Sequence, residues 1–357
     1  MQEATRLVRA GRLTEATAIV KRSLGPRSCS DDVAEERSWR VPAFLRTWLG
    51  RAAPFMRGRS APTPTPEPDF ISEPGQFLTR SYRNSAGGRA YRLYVPSGYR
   101  GQPVPLIVML HGCKQTAEDF AAGTRMNVHA EAHSCLVAYP AQSSAANCSR
   151  CWNWFSPQHQ TRGNGEASLI AGITRQVVED LTVDPQRIYV AGLSAGGAAA
   201  AVMGAAYPDL YAAVGVHSGL ACGIAHDVPS ALTAMRLGEP SGRGGISPAP
   251  RVMIPTIVFH GDRDSTVNPR NSEQVLAQAG ADGELERSVE RGQVPGGHVY
   301  TRTLYTDRQG EVVLESWTIH GAGHAWSGGN TVGSYTDPNG PDAGQEMLRF
   351  FLEHPHR

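Results

Sequence analysis

The chain has 357 residues and a formal net charge of +1, from 34 Lys and Arg against 33 Asp and Glu. A chain of this length can bury a core that needs no disulfide or metal to fold. Its charge balance excludes a strongly basic nucleic-acid binder and an acidic disordered protein. The charge is unevenly spread, because residues 1–60 carry 12 basic and 6 acidic residues whereas residues 61–357 carry 22 and 27.

The basic N-terminal region precedes a proline-rich spacer. Residues 1–24 place apolar side chains near helical spacing with arginines between them, which predicts a basic amphipathic helix suited to an anionic surface, or else a weakly ordered leader. Residues 60–68 form a stiff spacer, since each proline fixes its φ angle. We predict an extension and linker over residues 1–68 and one large domain over residues 69–357.

The sequence shows neither a secretion signal nor a membrane span. Residues 1–24 lack the apolar run of about 7–15 residues that a signal peptide needs. Residues 188–208 carry no charge, but four glycines interrupt them and Pro208 ends them. A buried strand, a turn and a helix explain that run better than a membrane span, and the missing signal favours the cytoplasm.

From about residue 77 the pattern alternates between strands and helices. The predicted strands lie at residues 77–82, 89–95, 106–110, 135–139, 187–191, 212–217, 256–260, 299–306 and 311–319. The predicted helices lie at residues 117–133, 166–181, 195–206, 272–279 and 342–353. This alternation predicts an α/β fold with a mostly parallel sheet and helices on both of its faces.

Six cysteines occur at irregular spacing, at positions 29, 113, 135, 148, 151 and 222. Cys148 and Cys151 form a C-x-x-C motif, but no second motif or nearby histidine pair completes a zinc site. One or two structural disulfides, or buried thiols, fit better than a zinc site or a redox dithiol, and the pairing stays open. We expect no metal and no organic cofactor.

The strongest local signal is Gly192-Leu-Ser194-Ala-Gly196, directly after a predicted buried strand and directly before a predicted helix. This matches G-x-S-x-G, in which glycines allow a sharp strand-to-helix turn that exposes the serine hydroxyl. A serine hydroxyl is a weak nucleophile at neutral pH, so a base and a group that orients the base must accompany it. Ser194 is therefore the candidate nucleophile.

The orienting acid is expected at the end of a later strand. Asp264 follows the strand predicted at residues 256–260 and is the candidate, with Asp262 as its rival. Both carboxylates would otherwise cap the helix that follows them.

The base is expected after the acid, in the order Ser, Asp, His. His324 lies in the glycine-rich loop Gly321–Gly329, just past a predicted strand. His298 and His320 are less suitable, because one opens a hairpin and the other ends a strand. We therefore choose His324.

The oxyanion that develops during acyl transfer needs backbone N–H donors near the nucleophile. One expected donor is the amide of Ala195, and the other is the amide of Cys113, in the loop after the strand at residues 106–110. The Cys113 thiol remains free to form a disulfide, since only its backbone is used. We expect His111 to be structural.

Several motifs together resemble the polyhydroxybutyrate depolymerase family of esterases, from about residue 77 to the end of the chain. They are Leu110-His-Gly-Cys-Lys-Gln115, Gly123-Thr-Arg-Met-Asn127, Tyr139-Pro-Ala-Gln142, Cys151-Trp-Asn-Trp-Phe155, Gly192-Leu-Ser-Ala-Gly-Gly197 and Gly323-His-Ala-Trp-Ser-Gly-Gly329. The resemblance implies an α/β-hydrolase fold and a triad of Ser194, Asp264 and His324. Many members of this family are secreted, so an extracellular location also stays open.

Three tryptophans are candidates for the substrate site. Trp326 lies two residues after His324, and Trp152 and Trp154 lie in a loop after a predicted strand, where open α/β sheets place their active sites. We predict that at least one of them lines the acyl or alcohol pocket, although core packing would also explain them.

These observations predict a serine esterase that works through an acyl-enzyme. The resemblance favours short hydroxyalkanoate esters or polyhydroxybutyrate-type oligomers or polymer as substrates. A feruloyl or acetylxylan-type carbohydrate esterase is the alternative, and a non-catalytic binding protein on a hydrolase scaffold is a further one. No nucleic-acid partner is expected, and the oligomeric state stays open.

Overall fold

The computed structural model describes residues 74–238, 254–281 and 283–356. The predicted N-terminal helix, the proline-rich spacer and the boundary at residue 68 lie outside these ranges. They stay predictions.

The described ranges contain twelve strands and seven α-helices. The strands are β1 (Gln76–Asn84), β2 (Gly87–Val95), β3 (Val104–Leu110), β4 (Leu136–Pro140), β5 (Val183–Leu193), β6 (Ala213–His217), β7 (Thr256–Gly261), β8 (Glu286–Gln293), β9 (Val299–Thr306), β10 (Val312–Ile319), β11 (Trp326–Ser327) and β12 (Thr336–Asp337). The helices are α1 (Ala117–Thr124), α2 (Met126–His133), α3 (Gly165–Asp180), α4 (Ala195–Ala206), α5 (Val228–Leu237), α6 (Arg270–Gln278) and α7 (Ala343–Glu353).

Ten of the strands form one sheet in the order β1-β2-β4-β3-β5-β6-β7-β10-β9-β8. The six central strands from β4 to β10 run parallel, and the two strands at each edge are antiparallel to their neighbours. Strand β3 is buried along its whole length, which is why its sequence is a continuous apolar run rather than an alternating one. In such a sheet the carboxyl ends of the parallel strands lie along one edge, and that edge carries the candidate site.

Two apolar cores fill the space between the sheet and its helices. One core includes residues of α3, α4, α5 and α6, and the other includes residues of α1, α2 and α7. In the second core the ring of Phe351 stacks on Tyr189 with centroids 4.9 Å apart, which joins α7 to β5. Helices therefore cover both faces, and the predicted α/β-hydrolase fold is confirmed.

The predicted helix at residues 117–133 is wrong as a single element. Arg125 adopts φ 56° and ψ 20°, a left-handed conformation that ends α1 and starts α2. The sequence pattern also missed β8, which is exposed and, apart from Val289 and Gly292, charged or polar, so that no alternation of apolar residues marks it. It missed α5 as well.

The uncharged run at residues 188–208 is the end of β5, the turn at Ser194 and helix α4, as predicted. In the part of the chain that the structure describes, no helix is both long enough and apolar enough to cross a bilayer.

Candidate active site

Ser194 lies in the turn between β5 and α4 with φ 57° and ψ −119°, a backbone conformation that a residue with a Cβ atom rarely adopts. Its N–H donates to the carbonyl oxygen of His217, at 2.9 Å, on the neighbouring strand β6. A Cβ atom on Gly196 would overlap the carbonyl oxygen of Leu110, so only glycine allows the start of α4 to pack so closely against β3. The motif therefore folds as the strained turn that its sequence predicts.

Asp264 and His324 come together in the loops that follow β7 and β10, two parallel neighbours in the sheet. The Nδ1 atom of His324 lies 2.7 Å from Oδ2 of Asp264. The other carboxylate oxygen of Asp264 accepts the N–H groups of Thr266 and Val267, each at 2.9 Å. The carboxylate is thus fixed on one side by its own loop and faces the imidazole with the other.

The Asp264 carboxyl is held in its charged form. Burial opposes ionisation, but hydrogen bonds from His260 and His324, together with the charge on His324, lower the pKa of Asp264 well below its usual range. When His324 is neutral, the ionised carboxylate next to Nδ1 requires the single ring proton to be on Nδ1. This leaves Nε2 as the atom that can accept a proton.

Two further histidines surround this pair, and sequence reasoning missed both. Nε2 of His260 lies 2.9 Å from the carbonyl oxygen of Val267 and 3.4 Å from Oδ2 of Asp264, so it must carry the proton and donate to both acceptors. Nε2 of buried His217 accepts the N–H of Ser327 at 3.0 Å. Burial first, and then the charges of His260 and His324, lower the pKa of His217 to about 3, so it stays neutral. In the sequence, the available sign of a role for His217 and His260 was their position at the ends of predicted parallel strands.

The alternatives to Asp264 and His324 have other partners. Asp262, the rival acid, pairs with His320, whose Nδ1 atom lies 2.9 Å from Oδ2 of Asp262. His298 pairs with Asp337, with Nε2 and Oδ2 2.9 Å apart. Of the sequence candidates, Asp264 and His324 therefore form the pair deepest in the fold.

The loop after β3 packs against the Ser194 turn. A Cβ atom built on Gly112 would lie 3.6 Å from Cβ of Ser194, so a single added methyl group would bring this loop into contact with the serine. Ala195 is the first residue of α4, and its N–H therefore has no acceptor inside the helix. Within the described ranges, the N–H of Cys113 also has no hydrogen-bond acceptor. Neither observation conflicts with the oxyanion role predicted for the two amides, which stays a prediction.

His217 contacts both the turn that carries Ser194 and the segment that follows His324. Besides accepting the N–H of Ser194, His217 stacks its ring on Trp326, with centroids 5.1 Å apart. Trp326 lies two residues after His324. The Ser194 hydroxyl itself makes no hydrogen bond to His324 in the part of the chain described, as is common for such contacts before substrate binds.

A disulfide joins Cys113 to Cys151. Cys151 therefore pairs across two loops and not with Cys148, its partner in the C-x-x-C motif, so the motif is neither a redox dithiol nor a zinc half-site. Among the described residues, no three His, Cys, Asp or Glu side chains come together as metal ligands would.

Two hydrogen bonds reinforce the connection that the disulfide makes between the loops of Cys113 and Cys151. The Nε1–H of Trp152 donates to the carbonyl oxygen of His111 at 3.1 Å, and the N–H of Lys114 donates to the carbonyl oxygen of Ser149 at 2.7 Å. His111 in turn accepts the N–H of Gln142 on Nε2, at 3.0 Å, because burial lowers its pKa and keeps the ring neutral. The environment of His111 is thus that of a structural residue.

Glu166 is a buried carboxylate behind these loops, and sequence reasoning missed it. Oε2 accepts the backbone N–H of Asn153 at 2.7 Å, and Oε1 accepts the Asn153 side-chain amide at 2.8 Å. Oε1 also accepts from the amide of Gln142 and, at 3.3 Å, from the guanidinium of Arg89. An acidic residue in the first turn of an amphipathic helix, next to its apolar residues, was the only hint in the sequence. Its hydrogen bonds tie the loop carrying Cys151 to α3.

The three candidate tryptophans are all buried. Trp152 and Trp326 are 0% and 1% exposed, and Trp154 is 7% exposed. Trp326 packs edge to face on Phe120, with centroids 5.5 Å apart, and its Nε1 atom is buried without a hydrogen-bond partner. Their role in lining a substrate pocket stays a prediction.

Comparison with known proteins decides the family. A sequence profile described as esterase PHB depolymerase matches residues 89–283. The chain belongs to this family of esterases. Poly(3-hydroxyalkanoate) depolymerase C of Paucimonas lemoignei is 34% identical to this esterase over 243 residues, which cover 65% of the chain but only 57% of that protein. Feruloyl esterase B of Neurospora crassa is 30% identical over 294 residues, 77% of the chain and 91% of that protein.

Solved structures with low sequence identity share the fold. An acetyl xylan esterase from Aspergillus awamori has a TM-score of 0.60 at 19% identity, and the match covers 78% of this esterase and 99% of that chain. An S-formylglutathione hydrolase from Agrobacterium tumefaciens has a TM-score of 0.52 at 12% identity, covering 79% and 96%. These similarities support the α/β-hydrolase fold.

Proposed function

We propose that this esterase is a serine hydrolase with Ser194 as nucleophile, His324 as base and Asp264 as orienting acid. The observation that carries the proposal is the 2.7 Å contact between His324 and the ionised Asp264, at the edge of the sheet where Ser194 occupies its strained turn. A serine needs a base that a third group orients, and these residues supply both.

The proposed reaction forms and then hydrolyses an acyl-enzyme. Oγ of Ser194 attacks the ester carbonyl carbon while Nε2 of His324 accepts the hydroxyl proton, and Asp264 stabilises the imidazolium. The amides of Cys113 and Ala195 donate to the oxyanion. The imidazolium then protonates the leaving alcohol. Water, deprotonated by His324, attacks the acyl-enzyme, releases the carboxylic acid and restores Ser194.

Short 3-hydroxyalkanoate esters are the proposed substrates, on the strength of the 34% identity to poly(3-hydroxyalkanoate) depolymerase C. A feruloyl-type ester is the second candidate, because the chain spans 91% of the Neurospora crassa feruloyl esterase B. Hydrolysis of 3-hydroxybutyrate oligomers and of methyl ferulate, each normalised to p-nitrophenyl butyrate, separates the two. A higher kcat/KM on methyl ferulate would replace the first candidate with the second.

The catalytic assignment is tested by Ser194→Ala. We expect the wild-type protein to react with a fluorophosphonate probe and to release a burst of p-nitrophenol from the butyrate ester. The variant should lose both, with kcat lower by about 10⁶-fold, as for removal of a triad nucleophile. A variant that still reacts would show that the nucleophile is another residue. A wild-type protein that does not react would favour the binding-protein alternative.

A further inference from the structure

A second aspartate–histidine pair connects the same two loops as Asp264 and His324. It consists of Asp262 and His320, and we call it the outer pair because its side chains are 38% and 31% exposed. Asp262 precedes Asp264 by two residues, and His320 precedes His324 by four. Both pairs therefore connect the same two loops, and one pair is partly exposed whereas the other is largely buried.

The outer pair fastens the segment that leads into His324. The N–H of Gly321 donates to Oδ1 of Asp262 at 2.7 Å, so this carboxylate holds a backbone group as well as the imidazole. The N–H groups of Asp262 and Arg263 donate to the carbonyl oxygens of Ile319 and Ala322, each at 3.0 Å. Together with the hydrogen bond between Asp262 and the His320 ring, these three hydrogen bonds hold the segment from residue 319 to residue 322, which precedes the proposed base.

This segment has little stiffness of its own. Gly321 has φ +87°, where the chain reverses after β10, and Gly323 follows two residues later. Glycines lose the most conformational freedom on folding, so the position of the loop depends on the contacts that hold it. On the far side, Oγ1 of Thr301 lies 2.8 Å from Nε2 of His320 and fixes the ring against β9.

The Asp262 carboxylate is charged where it makes these contacts. Partial burial opposes ionisation, but the hydrogen bonds from Gly321 and His320, and then the charges of His320 and Arg263, hold the pKa of Asp262 below its usual range. Hydrogen bonds to an ionised acceptor are about twice as strong as those between neutral groups.

We propose that Asp262 is a positioning residue for the esterase reaction. By accepting hydrogen bonds from Gly321 and His320 it fixes the glycine-flanked loop, so that His324 presents Nε2 to Ser194. The proposal rests on the function proposed above. Asp262 acts through His324 and is not itself the orienting acid.

The first test compares Asp262→Ala with wild type on p-nitrophenyl butyrate, with rates normalised to the folded fraction from circular dichroism. We expect kcat to fall by about 10- to 100-fold with KM unchanged within about twofold, because a displacement of about 1 Å costs up to 10²-fold. Asp262→Asn keeps an oxygen for the Gly321 N–H and should recover part of the loss. Asp184, which pairs with Arg187 at 2.6 Å near the start of β5, provides the control Asp184→Ala, expected to leave kcat unchanged.

The decisive test combines Asp262→Ala with Asp264→Asn. If both residues act through His324, the double variant should lose less kcat than the product of the two single losses. Losses that multiply, a change in KM alone, or an unchanged kcat in Asp262→Ala would each overturn the proposal. A wild-type protein that is not labelled by fluorophosphonate would instead overturn the proposed function. Labelling of Asp262→Ala as fast as wild type would overturn only this inference.

Discussion

The two sides of the candidate site are held together by different chemistry. The side that carries the proposed oxyanion donor Cys113, here called the oxyanion side, comprises residues 111–115 and 142–154, which are joined by the disulfide between Cys113 and Cys151 and by N–H donation to backbone carbonyls. The acid–base side comprises residues 261–267 and 319–327, which are joined chiefly by carboxylates and imidazoles. The first of these sides packs against the turn that carries Ser194, and His217 links the second side to that turn.

This difference predicts different sensitivities. A disulfide and backbone hydrogen bonds do not depend on protonation near neutral pH, but a reductant can cleave the disulfide. Contacts between Asp and His change with the proton on either partner. A reductant should therefore act on the oxyanion side, whereas acid should act on the acid–base side.

The largest expected effect is on the acid–base side. Asp264→Asn replaces the charged partner of His324 with an amide that favours the wrong tautomer, and kcat should fall by about 10⁴-fold. Steady-state kinetics on p-nitrophenyl butyrate measures the loss. Dithiothreitol should lower the kcat of the variant by no larger a factor than it lowers that of wild type. A loss smaller than tenfold would mean that another carboxylate orients the base.

A smaller effect is expected on the oxyanion side. Changing Cys113 and Cys151 together to Ser leaves both proposed oxyanion amides in the chain but frees the loop that carries one of them, so kcat should fall by up to about 10²-fold. Urea unfolding should show a loss of about 2–4 kcal/mol. Cys148→Ser, in the same loop but outside the disulfide, is the matched control and should match wild type. If the double variant keeps full kcat, the cross-link does not hold the amides in place.

The smallest effect concerns pH. Burial lowers the pKa of His217 to about 3. As the pH falls below about 6.5, the ordinary pKa of histidine, this side chain is protonated in the unfolded chain but stays neutral in the folded chain. The free energy of unfolding therefore falls between about pH 6.5 and pH 3. His217→Gln keeps an acceptor for the Ser327 N–H and cannot titrate. Its melting temperature should therefore drop less than that of wild type between pH 7 and pH 5. An equal drop would assign the acid sensitivity to other groups.

The parallel core of the fold could be predicted from the sequence because its signals are local. The buried strand β3 is a continuous apolar run, and the predicted helix at residues 195–206 has the bounds of α4. Two errors have a physical cause. The left-handed turn at Arg125 carries no glycine to mark it, and the exposed strand β8 forms by pairing with β9 rather than by burying side chains.

One contact of the candidate site could be predicted, because chemistry calls for particular residue types there and the fold sets their order along the chain. Asp264 and His324 were chosen in that way, and the structure brings them into contact. The supporting residues were not predicted. Glu166 and His217 gain their roles from neighbours distant in sequence, and the sequence gives only the weak positional signs described above for them and for His260.

The glycine at position 196 limits how this enzyme can be engineered. The backbone of α4 rests on the carbonyl oxygen of Leu110 with no space for a side chain, so the end of β3 and the turn that carries Ser194, the proposed nucleophile, form one tightly packed block. A library that randomises residues 192–196 would mostly return inactive proteins. Variation aimed at new ester specificity is better placed in the segments that border this block, where a changed side chain leaves the geometry of the reaction intact.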